Sequence, residues 1–216
     1  MAAAGAVAGE TYDSERPDDP LAAGRPLDYD AGHTTHLEVA DREGNVISMT
    51  ITLGHYFGCC VLAGGTGIFL NNMMRMGDLH PDAPGAIAPG RRPVHAMGST
   101  QVFRDGRFIL SLGMPGGWAI LQRNVQILVN LLDFGLDVQQ AIEAPQFRLY
   151  VGRDVHIEER LPLQTRRELE ARGHEISWLE PWSMRVSGAH AIHLDPESGV
   201  YSTGCDVRRE GLAIGI

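Results

Sequence analysis

The chain has 216 residues, is 44% hydrophobic and carries a formal net charge of -9, with a pI near 5.4. That length fits one domain with a real core, and the acidic balance argues against a nucleic-acid surface. No apolar run approaches the ~18 residues of a membrane-crossing helix, and three cysteines without a spaced framework do not make a disulfide scaffold.

The opening segment from Met1 to Gly9 is small and apolar but has no basic stretch, so it makes a poor secretion signal. A cytoplasmic protein is the default, with a periplasmic or secreted one left open. Residues 1–33 are rich in Ala, Gly, Asp and Pro without periodicity and read as a flexible segment. The run from Thr34 to Ala40 is strand-like, Asp41–Asn45 is a turn, and Val46 to Leu53 is a second strand-like run. With the hairpin centred on Glu43, cross-strand partners have numbers summing to 86, and Thr34 faces Thr52. Opposed residues in an antiparallel pair have Cβ atoms about 4.5–5.5 Å apart, close enough for two hydroxyls to hydrogen-bond. A bulge in the turn would shift the register and break that pairing.

A threonine hydroxyl is a poor nucleophile unless a base sits beside it, and one solution is the residue's own α-amine. Thr34 is internal, so this chemistry requires a cut between His33 and Thr34, which the same hydroxyl can make by attacking the His33 carbonyl. On the hairpin alone the plainer reading holds, that Thr34 and Thr35 are β-branched strand formers.

Gly54 to Gly67 contains five glycines and reads as loop with short strands at Cys60–Leu62 and Ile68–Leu70. Gly77 to Pro93 holds four prolines and three glycines and must be a long irregular loop. Ser99 to Leu112 reads as a second hairpin turning at Asp105-Gly106. Pro115-Gly116-Gly117 then leads into a helix from Ala119 to Leu132, with Ile120, Leu121, Val125, Leu128, Val129 and Leu132 on the helical period. Asp137 caps a short helix that Pro145 stops, and a third helix from Leu163 to Ala171 ends at Gly173. Strands follow at Glu175–Trp178, Ala189–Leu194 and Val200–Ser202. Hairpins, then helices, then strands suggest a layered α+β domain.

Several of these stretches occur in a telling order: Thr34-Thr35-His36-Leu37, Gly67-Ile68-Phe69-Leu70-Asn71-Asn72, Ala88-Pro89-Gly90-Arg91-Arg92-Pro93, Pro115-Gly116-Gly117 and Asp206-Val207-Arg208-Arg209-Glu210-Gly211. The series resembles the catalytic small subunit of the γ-glutamyltransferase family of N-terminal nucleophile hydrolases, from Thr34 to the C-terminus. The resemblance implies a four-layer αββα sandwich, of which this chain is the small-subunit half. It implies that residues 1–33 are the tail of a large subunit, that residues 34–216 are the catalytic domain, and that a large-subunit partner is needed. Thr34 becomes the nucleophile, Thr52 its supporting threonine, and Gly116 and Gly117 the oxyanion-hole pair. A Gly-Gly pair at a helix start suits that role physically, because its N–H groups are unobstructed.

At the substrate pocket the sequence departs from the family pattern. The family carries Asn after the second threonine where this chain has Gly54. It carries Gln and Asp where this chain has Met73 and Met76, and Ser-Ser where this chain has His95-Ala96. Methionines cannot pair an ammonium, and an unpaired ammonium in such a pocket is costly. The acyl group is therefore expected not to be γ-glutamyl, as in the amidohydrolase- and acylase-like branch, with a small-molecule amide as substrate. A genuine γ-glutamyltransferase or glutathione hydrolase, or a homologue that never matures, remains the alternative. Met73, Met74 and Met76 are either a soft wall for another acyl group or core under the long loop.

No cofactor is expected. His33 and His36 fall on opposite faces of a strand, and His55, His80 and His95 lack ligand spacing, so no metal is expected. Cys59 and Cys60 have no evident base and are expected to be buried structural thiols. Trp118 is either helix-start packing or a pocket wall.

Overall fold

A computed structural model describes residues 34–150, 152–186 and 188–215. The segment read as flexible, 1–33, lies outside the described residues. The others fall into two units, one of residues 52–96 and one of residues 34–51 with 97–216.

In the larger unit, β1 (Thr34–Ala40) pairs with β2 (Val46–Thr52), whose last residue belongs to the smaller unit. The predicted register holds at three inner positions. The Asp41 N–H donates to the Asn45 carbonyl at 3.0 Å, the Ser48 hydroxyl donates to Glu38 at 2.7 Å, and His36 Nδ1 lies 2.8 Å from the Thr50 hydroxyl. Each pair sums to 86. Asp41 secures the turn by accepting the backbone N–H groups of Glu43 and Asn45. Alternation puts polar His36 and Glu38 on the buried side, while Val39, Ile47, Met49 and Ile51 are exposed.

A four-stranded antiparallel sheet follows, in the order β3 (Thr100–Arg104), β4 (Arg107–Gly113), β8 (His190–Leu194), β9 (Tyr201–Cys205). The β3–β4 turn is Asp105-Gly106, with φ of 50° and 76°, the left-handed pair that a two-residue hairpin turn requires. Helix α1 spans Ala119–Leu132 as the periodicity predicts, and α2 spans Val138–Glu143 behind a full Asp137–Gln140 capping box. Leu110, Leu112, Met114, Ile120, Ile127 and Ile142 form the core where α1 and α2 meet this sheet.

The buried stripe of α1 differs from the one the apolar positions predict. Leu121, Val125, Val129 and Leu132 are exposed, and Arg123 and Asn124 are buried beside Ile120 and Ile127. The reason is pairing: Arg123 donates to Asp206 at 2.8 Å. A third sheet joins β5 (Phe147–Leu149), β6 (Asp154–Glu158) and β7 (Glu175–Leu179), with β6 and β7 parallel and α3 (Leu163–Ala171) as their crossover. Neither β5 nor β6 is legible as a strand, because their buried positions include Arg148, His156 and Glu158.

In the smaller unit the two expected short strands reduce to a bridge between Leu62 and Phe69. A 3-10 turn spans Met73–Met76. The Gly77–Pro93 loop has neither helix nor strand beyond a bridge between Asp78 and Ala86, as its proline and glycine content predicts.

Candidate active site

Thr34 opens β1 and is half-buried, so its hydroxyl sits at a strand end rather than in the core. Gly116 and Gly117 lie between the end of β4 and the start of α1. Their φ values, 143° and 57°, are in the region glycine tolerates, and a Cβ on Gly117 would meet nothing within 4 Å. Their carbonyls accept the N–H groups of Ala119 and Ile120 at 3.2 Å each and so start the helix. Among the described residues, the N–H groups of Gly116 and Gly117 donate to no protein acceptor. Two adjacent donors at the positive end of a 14-residue helix are suited to a developing negative charge. Trp118 is the half-buried residue directly before that helix.

The other predicted residues lie in the smaller unit. The Thr52 hydroxyl accepts the Gly54 N–H at 2.9 Å, a local turn around the strand end. Gly54 is buried with φ 83°, and a Cβ there would stand 2.2 Å from Asn72 Oδ1 and 3.1 Å from Met73 Sδ. Gly54 and Met73 are thus brought together, two of the positions where the polar pattern is lost. The Gly54 carbonyl accepts from Arg75 Nη2 at 2.8 Å. Met76 and Ala96 are buried, Met73 is half-buried and His95 is exposed.

Sequence reasoning missed two buried polar networks, both in the larger unit. In the first, Glu38 Oε1 meets His36 Nε2 at 2.7 Å and the Ser48 hydroxyl at 2.7 Å, while Oε2 accepts the Ser111 hydroxyl at 2.6 Å. The signal was available: His36-Leu37-Glu38 on a strand puts His and Glu on one face. The His190 ring lies 6.1 Å from the His36 ring. Burial, reinforced by His36, pushes the His190 pKa below the ordinary histidine value.

The second network contains Asp206 and Arg208 of the Asp206-to-Gly211 motif. Asp206 accepts from Arg123 at 2.8 Å and from Arg208 at 2.9 Å, and Arg208 also grips Glu158 through two bonds of 2.6 and 2.7 Å. Arg160 reaches Glu158 at 2.9 Å. Burial alone would raise the Glu158 carboxyl, but the hydrogen bonds and charge of Arg208 bring it below the usual carboxylate range. Burial pushes Arg123 down to about 10 despite Asp206. These groups tie α1, α2, β6 and β9 together, and Arg123, Glu158, Asp206 and Arg208 are buried while Arg160 closes the edge, so the network reads as structural.

Among the described residues no group of three or more His, Cys, Asp or Glu is placed to hold a metal ion. Cys59 and Cys60 are exposed free thiols, contrary to the expectation of burial. They lie in a glycine-rich loop that hydrogen-bonds through backbone groups and packs no core around them.

A family profile described as Gamma-glutamyltranspeptidase matches residues 9–216. The chain is 36% identical over 189 residues to an "Acylase ACY 1 proenzyme" of Pseudomonas sp. (strain SE83), covering 87% of this chain and 33% of that protein. It is 31% identical over 192 residues to a "Glutathione hydrolase proenzyme" of Bacillus subtilis (strain 168), covering 89% of this chain and 32% of that protein. The chain thus spans about a third of the length of these relatives. Among solved structures, a gamma-glutamyltranspeptidase from Pseudomonas nitroreducens matches with a TM-score of 0.73 at 28% identity, covering 84% of this chain and 99% of that one. A cephalosporin acylase from Bacillus halodurans matches with a TM-score of 0.74 at 30% identity, covering 80% of this chain and 32% of that one.

Proposed function

The chain belongs to the γ-glutamyltranspeptidase family, and from that premise we propose that it is the catalytic part of a threonine amide hydrolase or acyltransferase that cleaves itself before Thr34 and transfers an acyl group other than γ-glutamyl. Its fold is the α+β, αββα type of the N-terminal nucleophile hydrolases. The single observation that carries the catalytic reading is the glycine turn. Gly116 and Gly117 offer two adjacent N–H groups at a helix start, and among the described residues these donate to no protein acceptor.

In self-cleavage, the Thr34 hydroxyl adds to the His33 carbonyl. The C–N bond breaks, the proton passes to the Thr34 nitrogen, and an ester remains. Water then hydrolyses the ester, releasing the His33 carboxylate and a Thr34 with free amine and free hydroxyl. An α-amine has an ordinary pKa of about 7.7–8.0, so a useful fraction is neutral near pH 7.5. In turnover that amine accepts the hydroxyl proton as Thr34 Oγ attacks the substrate amide. The oxyanion meets the Gly116 and Gly117 N–H groups. The amine's proton goes to the departing amine, and the Thr34 ester is resolved by water or by an acceptor amine. Each donor of this kind lowers the barrier by about 2.7–4 kcal/mol. Thr52 is the supporting threonine in this reading, as the family resemblance implies.

The choice of acyl group rests on Gly54. The family's asparagine at this position would set its Cβ on Asn72 Oδ1 and against Met73, in a backbone conformation where a side chain is strained. An asparagine there would have to displace the Asn72 side chain and hold a positive φ, which supports a pocket built without the family's polar group at this position. The second reading, glutathione hydrolysis, is favoured by the relatives that carry that name. The rest of a relative's length corresponds to a large-subunit partner. The 99% coverage of the matched Pseudomonas nitroreducens chain by 84% of this one supports a small subunit released by cleavage within this sequence.

The test is a panel of acyl p-nitroanilides, γ-glutamyl, glutaryl and straight-chain, together with glutathione, on the assembled protein. Turnover of a non-γ-glutamyl anilide with weak γ-glutamyl and glutathione turnover is expected. Efficient glutathione hydrolysis with a micromolar KM would overturn the acyl assignment.

A further inference from the structure

We propose that His36 and Glu38 are positioning residues that lock the nucleophile strand β1 to the end of β4, and so set Thr34 against the Gly116-Gly117 turn. This rests on the catalytic reading above. Gly113 is the last residue of β4 and pairs with His190 in the sheet. Its backbone is not in the left-handed region, so conformation gives no reason for glycine there. Space does: a Cβ at Gly113 would lie 2.2 Å from His36 Cε1 and 2.4 Å from His36 Nε2. The imidazole is seated on the bare backbone of β4, with its side chain fully buried.

Glu38 completes the lock. Its carboxylate joins β1 to β2 through Ser48 and to β4 through Ser111, whose hydroxyl lies 2.6 Å away on a fully buried residue. The same carboxylate takes His36 Nε2 at 2.7 Å, so that nitrogen carries the proton and Nδ1 faces the Thr50 hydroxyl at 2.8 Å. The ring therefore cannot rotate without breaking two hydrogen bonds.

Sequence distance gives the lock its consequence. His36 is two residues from Thr34 on one strand and on the same face. Gly113 is three residues from Gly116, and Met114 and Pro115 between them are buried. A shift of β1 across β4 therefore changes the distance from the nucleophile to the two N–H donors. A misplacement of about 1 Å costs up to 100-fold in rate.

The experiment uses the assembled protein and two rates: first-order self-cleavage, which needs no added substrate, and steady-state turnover of the best p-nitroanilide of the panel. The variants are Glu38→Gln, Glu38→Ala, Gly113→Ala, Gly113→Ala with His36→Ala, and Thr34→Ala. Melting temperatures are taken for all. Glu38→Ala and Gly113→Ala are expected to lower kcat and the self-cleavage rate at least tenfold with KM within twofold. Glu38→Gln, which keeps the shape and one acceptor oxygen, should recover most of the Glu38→Ala loss. The double variant should melt above Gly113→Ala, because the clash is gone, yet stay slow, because the lock is gone. If the double variant regains wild-type rates, or if Glu38→Ala lowers only the melting temperature, the positioning role is overturned. Should Gly113→Ala fail to fold, the Glu38 pair decides alone on kcat against KM. Thr34→Ala separates the two claims. If it still cleaves and turns over, the catalytic reading has failed; if it is dead while the Glu38 and Gly113 variants match wild type, only the lock has failed.

Discussion

Replacing Asp206 by alanine tests whether the closing motif holds the domain together. The carboxylate is buried and accepts Arg123 Nη2 at 2.8 Å, Arg208 Nη1 at 2.9 and 3.2 Å, the Arg208 N–H at 3.0 Å and the Ala189 N–H at 3.3 Å. In Asp206→Ala, Arg208 keeps Glu158, but Arg123 keeps only the Ile142 carbonyl at 3.1 Å. Its Nε and Nη1 have no partner even in the intact network, among the described residues. Breaking a buried ion pair by removing one member costs about 3–5 kcal/mol. At about 2–4 °C per kcal/mol for a domain of this size, the melting temperature should fall by about 6–20 °C. Asp206→Asn keeps the size and one acceptor oxygen and should cost less, about 1.5–3 kcal/mol. The assay is thermal and urea unfolding of the assembled protein followed by circular dichroism, at low and at 1 M salt. Buried charges are poorly screened, so the loss should change little with salt. A loss under about 1 kcal/mol, or one that vanishes in salt, would refute the claim that these charges are buried and mutually dependent.

Two more outcomes follow from the geometry. Gly54→Ala should destabilise by at least about 1 kcal/mol in urea unfolding, because its φ of 83° and the contact with Asn72 both oppose a side chain; a neutral effect would mean that the loop around Met73 yields freely. His190 has its pKa lowered by burial and by His36, with Glu38 and Asp206 opposing. Stability should therefore be full above the unfolded histidine value of about 6.5 and fall as pH drops through the lowered value. His190→Gln should flatten that slope, and an unchanged pH profile in the variant would remove His190 as its source.

How much was readable in the chain depends on where each element's reasons lie. The two hairpins and helix α1 follow from local signals: the Asp41-to-Asn45 turn, the Asp105-Gly106 turn and the helical period from Ala119 to Leu132. The sheet of β5 and β6 was not readable, because Arg148 and Glu158 are buried by partners far along the chain, Arg208 lying 50 residues from Glu158. The same holds for Arg123, which turns α1 away from the face its apolar residues predict. Near the candidate site, the Gly116-Gly117 turn before α1 was legible as a turn, since it is a feature of the backbone. The contact between Gly54 and Met73 and the seat of His36 on Gly113 were not, because both are spaces kept empty by glycine and visible only in three dimensions.

The account stands or falls on the bond between His33 and Thr34. The direct measurement is N-terminal sequencing and intact mass of the assembled protein, wild type beside Thr34→Ala, after incubation at neutral pH. The account predicts a new N-terminus at Thr34 in the wild type, and an uncut, inactive chain in the variant. An active wild-type protein that remains uncut, or cleavage and turnover that persist in Thr34→Ala, would contradict it.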